Sequence, residues 1–509
     1  MKKKGKILTA VLLVAVIIAG TVGALLFVKP AINLATIKNN IEGESPVAEY
    51  SDLMPDTDEI YGWANQLVNM GARKPGTDAW KQANSFVTEK FNEFGLSDIK
   101  TVNSKTTLWQ CDEWSLNVGG EEISSYYMTH TFHSGNMEAF STPEGGLNTE
   151  IVYVGDGSES DFKNADVEGK IVVANVKFTN IPITLAKAVT SLYYDPDGEV
   201  GFGDAITNPY SANTYPYNYY RAMENGAVGF VGVLVDYYES NEFNNEDYSY
   251  MGGKMKIPGL WVTKNDGKKL AEMIENGNNK AVLNMSGSIT SVDAGAVVGL
   301  LPGQSDEIIM VQSHYDSSTP GGAEDASGTS VVLAMADFFS QIPENEREKS
   351  ILFVLMDSHF NDYESHDYFI AEYLQDGHKI LADVCIEHIA MEYKNIDGEL
   401  VATGEIEPRI VFTSGSDMIT DITNEEIVRH GYAKTAVIPA AIFDEPPTDA
   451  DMYYQLDVPI VSLISGPLYL YDNCDTADKI AKDQLKPTAE TFSAITLRLM
   501  DLPADEFKD

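Results

Sequence analysis

The chain is poor in positive charge and in cysteine, and one long stretch has no charge at all. Only 35 of its 509 residues are lysine or arginine, against 77 aspartates and glutamates, for a formal net charge of −42. That balance argues against nucleic acid or an anionic membrane surface as a partner, because either would need a basic face. Cys111, Cys385 and Cys474 are too few for a disulfide framework in an exported chain of this length. The uncharged stretch is Ile7–Val28, 22 residues, preceded by Lys2, Lys3, Lys4 and Lys6. Its length spans a bilayer core and the lysines mark the inner side. It reads as a single-pass anchor in the cell membrane, with the bulk of the chain extracellular. The alternative is a cleaved signal peptide and a secreted chain, for which Val22-Gly23-Ala24 is a poor cleavage site.

The length exceeds one ordinary domain. The pattern divides it into a basic cytoplasmic flank (1–6), the anchor (7–28), a polar juxtamembrane linker (29–50) and two parts of one α/β domain (51–147 and 291–507). A separate β-rich insert (148–290) lies between those two parts. Residues 57–95 show helical spacing of Ile60, Trp63, Ala64, Leu67, Val68, Phe86, Val87 and Phe91 around the turn Met70-Gly71-Ala72-Arg73-Lys74-Pro75-Gly76. After Val298, continuous apolar strands alternate with helices, which predicts a layered sheet with functional groups beyond the carboxyl ends of its strands.

The chemistry concentrates in IIMVQSHYDSSTPGGAEDASGTSVVLAMADFF, residues 308–339. A buried strand ends at His314-Tyr315-Asp316. A loop containing Glu324 and Asp325 follows, and a helix opens near Ser327. A histidine at a strand end facing a carboxylate loop suits a divalent metal, with Asp316 fixing the histidine's tautomer.

This strand, HxD, acidic Ala-Ser-Gly loop and helix resemble the metal-binding core of metallopeptidase family twenty-eight, which includes zinc aminopeptidases and glutamate carboxypeptidases. Arg73 and Gly76 match the family's early Gly-x-Arg-x-x-Gly turn. The order "GKIVV", "NGAVGFVGVL", "IPGLWV" resembles the protease-associated domain found inserted in that family, with the tyrosine-rich stretch Tyr193–Tyr220 as its variable loop. The resemblance implies a three-layer mixed-sheet zinc-exopeptidase-like domain carrying that insert, and a metallo-exopeptidase acting on peptides or proteins.

Carried over residue by residue, the family's ligands give His314, Glu324 as bridge, Glu387 and, in the terminal histidine's place, Asp472. Asp316 and Asp325 lie behind them, and Asp449 falls on the substrate side. The family's catalytic Glu-Glu pair is replaced by His359 and Phe360, and phenylalanine has no lone pair for a cation. The expectation is therefore one divalent ion, zinc, rather than two, with His359 as substitute base or third nitrogen ligand, or else an ordinary loop histidine left after catalysis was lost. His366 and His388 read as structural or surface residues. The alternative is a catalytically inactive pseudo-peptidase that serves as a binding or scaffold protein.

Overall fold

The computed structural model describes residues 34–41, 43–200, 205–375 and 377–508. The proposed anchor, residues 7–28, lies outside them. No helix among the described residues is long and apolar enough to cross a membrane.

The architecture is mixed α/β around one large mixed sheet. At its centre Glu307–His314 runs parallel to Ser350–Met356 on one side and to Lys379–Ile386 on the other. Beyond Lys379–Ile386 come Ile460–Ser465, parallel, and then Arg409–Thr413, antiparallel. The central strand has no polar face: Ile309 and Val311 enter one core and Ile308 and Met310 the other. Alternate side chains of a strand point to opposite faces, so a strand buried on both sides is apolar over Ile308–Val311, and its buried Gln312 and Ser313 are hydrogen-bonded to Asp383 and Asp325.

Helices Thr57–Asn69, Asp78–Glu93, Ser327–Ser340 and Lys482–Asp501 cover the first face. Asp56 and Thr77 cap the first two by accepting from Glu59 N–H and Trp80 N–H. Ser327–Ser340 is apolar nearly all round because it is buried on almost every side.

Two 22-residue strands, Ser97–Val118 and Lys280–Leu301, form an antiparallel ribbon that leaves this sheet. One end of the ribbon pairs with Ser350–Met356, and the other carries the insert. Insert strands Leu147–Tyr153, Ile171–Val176, Gly229–Leu234 and Gly259–Thr263 form a parallel array joined to the ribbon through Leu147–Tyr153. The insert, expected as a separate β-rich lobe packed on the main domain, is hydrogen-bonded into the main sheet network through the ribbon. Nor does residue 148 mark its beginning, since Tyr126 and Tyr127 already pair with Trp261 and Leu260. Insert residues Leu192–Tyr194 return to the opposite edge of the main sheet, beside Thr435–Val437. The lobe's identity lies in its own apolar cores. One of these includes Phe230, Trp261 and Phe243 and continues into Ala323, Phe360, Tyr469 and Tyr471, so the insert packs directly on the loops that carry the site.

Candidate metal centre

His314 ends the central strand, and the loop to Glu324 folds back over it. Arg73, fully buried, holds both sides of that loop. Its guanidinium donates to the carbonyls of Tyr315 (2.8 Å), Pro320 (2.6 Å) and Gly321 (3.2 Å). Asp475 fixes the loop's far side by accepting from Ala323 N–H (2.8 Å) and Glu324 N–H (3.0 Å). Asp325 accepts from the Ser313 hydroxyl (2.6 Å), Gly328 N–H (3.0 Å) and His388 N–H (3.1 Å), so it ties three segments together. Gly328 must be glycine here, because a Cβ would lie 2.3 Å from Asp325 Oδ2 and from the Ile386 carbonyl.

The Glu324 carboxylate is the hub. Its Oε1 lies 3.4 Å from His314 Nε2 and 3.3 Å from His359 Nε2, and its Oε2 lies 2.5 Å from His388 Nε2. All four side chains are buried. Each ring is held from behind at Nδ1: His314 by Asp316 (3.2 Å), His359 by Asp449 (3.1 Å) and His388 by the Ser465 carbonyl (2.6 Å). Donation from Nδ1 leaves the Nε2 lone pair aimed inward. The three Nε2 atoms and both Glu324 oxygens have no properly aligned hydrogen-bond partner despite their burial. Buried polar atoms normally find one, and imidazole nitrogens converging on a carboxylate are a donor set for a divalent cation such as zinc. Ligand atoms of His314, Glu324 and His388 lie within 4.8 Å of one another, and so do those of His314, His359 and Asp449.

The electrostatics point the same way. Burial by itself lowers an imidazole, yet Glu324 lifts His388 to about 10 and Asp449 lifts His359 to about 9. Burial likewise opposes ionisation of Glu324, but His388 and His359 beside it hold its carboxyl well below the usual range. The cluster attracts positive charge, which a cation supplies as well as protons do.

Two expected ligands stand elsewhere. Glu387 Oε1 accepts from the Cys385 thiol (3.0 Å), the Thr448 hydroxyl (3.1 Å) and Asp449 N–H (3.3 Å). Burial, then Asp449, pushes its carboxyl up to about 8. It belongs to neither group of converging ligand atoms. The next residue turns inward instead. His388 has φ +55, a left-handed conformation rare outside glycine, and this redirects the chain after the strand. His388, read from sequence as structural or surface, therefore stands among the converging atoms where Glu387 was expected. Asp472 is the second correction. Its carboxylate accepts from the Ser240 hydroxyl (2.6 Å) and Cys474 N–H (2.9 Å), so it ties the insert to this loop, and it belongs to neither group of converging ligand atoms.

The remaining predicted residues fall as follows. His359 stacks on His314 with ring centroids 4.3 Å apart and planes 8° apart. Asp316 Oδ2 accepts from His359 N–H (3.1 Å), and Asp449 also accepts from the Tyr363 hydroxyl (3.3 Å). Phe360 packs edge-on against Tyr471, centroids 5.3 Å apart. His366 is buried against the Tyr453 hydroxyl, and burial lowers it to about 4. Sequence reasoning missed Glu246, an insert residue whose Oε1 sits 3.8 Å from His359 Nε2 and accepts from the Tyr471 hydroxyl. Nothing in the local sequence marks it, because its contacts lie more than a hundred residues away. An open groove of about 750 Å3 lies along Asp112–Ser115, Ser141–Glu144 and Asn284–Ser286, and none of the cluster residues lines it.

A layered sheet with a histidine and carboxylate cluster at its strand ends is the fold of a zinc-exopeptidase-like domain. Residues 296–496 match the family model of Peptidase family M28, and the chain resembles that family of metallopeptidases. Aminopeptidase YwaD of Bacillus subtilis (strain 168) is 24% identical over 375 residues, covering 70% of this chain and 67% of YwaD. Carboxypeptidase Q of Mus musculus is 22% identical over 267 residues, which span 51% of this chain and only 49% of the mouse protein. Among solved structures, a zinc aminopeptidase from Bacillus subtilis superposes with TM-score 0.61 at 16% identity, covering 90% of this chain and 99% of that one. A peptidase M28 precursor from Shewanella amazonensis SB2B gives 0.61 at 17% identity, with 89% and 99% covered. At these identities the structural likeness is one of fold.

Proposed function

We propose that this protein is a metal-dependent exopeptidase of the aminopeptidase type, built on a single divalent ion and acting on peptide or protein substrates. His314, Glu324 and His388 would hold the ion, zinc by the chemistry of the donor set, and it would supply Lewis-acid polarisation of the scissile carbonyl. The observation that carries the reading is His359. Its Nδ1 is pinned by Asp449, and its Nε2 is buried, unpartnered and 3.3 Å from Glu324. With a cation in place of the protons that Glu324 and Asp449 otherwise draw onto the imidazoles, that arrangement would present a lone pair for taking a proton from an attacking water and later returning it to the leaving amine. Asp449 orients the ring and stabilises its protonated form. The carboxylate base of the family is thereby replaced by an oriented imidazole. The uncharged run 7–28 behind a lysine flank supports a single-pass anchor in the cell membrane with the bulk of the chain extracellular. Protease added to intact cells should then remove everything beyond the anchor, and full protection or a purely soluble secreted form would contradict it.

A second reading, a pseudo-peptidase that serves as a binding or scaffold protein, is favoured by one observation. Phe360 and Tyr471 pack together where a second ion would need donors. One experiment separates the two. The zinc-loaded full chain should hydrolyse aminoacyl amides, and His359→Ala should lower kcat by about 10²–10⁴-fold with metal content retained. Absence of turnover by the loaded wild type would establish the scaffold reading.

A further inference from the structure

Around the imidazole cluster every carboxylate but one is sealed. The Glu246 side chain is 13% exposed, against 0% for Glu324, 1% for Asp316 and 5% for Asp449. It arrives on an insert segment strapped across the site. Asn244 N–H donates to the Tyr471 carbonyl (2.7 Å), Asp247 N–H to the Phe360 carbonyl (3.2 Å) and the Ser240 hydroxyl to Asp472 (2.6 Å). Among the described residues no lysine or arginine pairs with Glu246. It meets the Tyr471 hydroxyl and, at 3.8 Å, His359 Nε2, itself buried and without a hydrogen-bond partner. Tyr471, which donates to the carboxylate, packs on Phe360 with ring centroids 5.3 Å apart, and Tyr363 packs on His359 at 5.0 Å. A carboxylate with no lysine or arginine partner, met only by an imidazole and a phenol and partly open to solvent, is suited to receive an organic ammonium ion. The carboxylate offers charge-assisted hydrogen bonds and the ring faces offer cation–π attraction.

We propose that Glu246, with these tyrosines, forms the subsite for the free α-ammonium group of a peptide's first residue. The proposal rests on the peptidase reading and deepens it. The bound ammonium would bring positive charge to the Oε1 side of Glu324, opposite the oxygen that faces His388. Phe360 offers no ligand on that side. The insert then acts in substrate selection, because it supplies the carboxylate that distinguishes a free amino terminus from a blocked one.

The test is calorimetric binding of a panel of amino-acid amides and their N-acetyl counterparts to the zinc-loaded full chain, alongside turnover of aminoacyl substrates. Wild type should bind the free amides and not the acetylated ones. Glu246→Gln should weaken the free amides by about 10- to 100-fold, the worth of a charge-assisted hydrogen bond. Glu246→Asp, which keeps the charge, should recover part of that loss. With wild-type zinc content and melting temperature in both variants, such a pattern establishes the subsite. Equal affinity of wild type and Glu246→Gln for the free amides would overturn it. So would a second zinc ion lost on Glu246→Gln, which would make the residue a metal ligand. Turnover by the wild type with unchanged binding in Glu246→Gln removes the subsite and leaves the peptidase. Selective binding without turnover removes the peptidase and leaves an ammonium-binding site.

Discussion

Replacing Arg73 by methionine should weaken both the fold and the metal centre, although Arg73 is not placed to touch the ion. The guanidinium sits at the bottom of the site with no exposed surface, and its donors reach Tyr315, Pro320, Gly321 and Leu67 carbonyls at 2.6–3.2 Å. Burial lowers its pKa to about 10, so it stays charged at neutral pH, with Asp316 foremost among the carboxylates that support it. Methionine fills similar volume and donates nothing. Each buried carbonyl left unpaired costs about 1–3 kcal/mol. Removing the costly desolvation of a buried guanidinium offsets part of that sum, so a net loss of about 3–5 kcal/mol is expected, the range for breaking a buried charged group away from its partners. The carbonyls belong to residues flanking His314 on one side and preceding Glu324 on the other, so zinc affinity should also fall, by about 10–100-fold, as when the support of a metal ligand is lost. Chemical denaturation and competitive chelator titration measure the two effects. Unaltered stability together with unaltered zinc affinity in Arg73→Met would refute the reasoning.

Asp472→Asn should keep zinc content at the wild-type level, because the carboxylate is engaged by Ser240 and lies outside the converging ligand groups. It should instead loosen the insert strap, seen as faster hydrogen exchange over residues 240–248. Loss of zinc would return Asp472 to the ligand set. Glu407 gives a pH signature remote from the site. It is buried, and burial, then Glu392, raises its carboxyl from 4.5 to about 8. A folded-state pKa above the unfolded one means the contribution is fully present below pH 4.5 and is lost as pH rises toward 8, by about 1.4 kcal/mol per unit at most. Wild type minus Glu407→Gln stability should therefore fall between pH 4.5 and 8, and equal pH slopes in denaturant titrations would contradict this.

How much of this was legible in the sequence depends on the range of the interaction. His314, Asp316 and Glu324 lie within eleven residues of one another, so strand, loop and helix chemistry sufficed to place them together. The apolar run Ile308–Val311 and the alternation of strands and helices after it indicated the layered sheet for the same reason. Glu387 and His388 show the limit. Period-two reasoning cannot decide which of two adjacent residues faces the converging cluster once the strand has ended, and the left-handed turn at His388 brings its ring, not the Glu387 carboxylate, to Glu324. Asp472 and Glu246 depend on the insert docking against residues 469–473. That packing is long-range, and no local pattern encodes it. The ribbon Ser97–Val118 with Lys280–Leu301 likewise pairs segments more than 160 residues apart, so the sequence suggested a domain boundary where the structure has a continuous ladder.

The claim on which the rest depends is that one divalent ion is held by His314, Glu324 and His388. Elemental analysis of the purified full chain after zinc loading and desalting tests it most directly, on wild type, His388→Ala and Glu387→Gln in parallel. The account predicts one zinc per chain in wild type and in Glu387→Gln, and essentially none in His388→Ala. Two zinc ions in wild type, or zinc retained in His388→Ala and lost in Glu387→Gln, would contradict it.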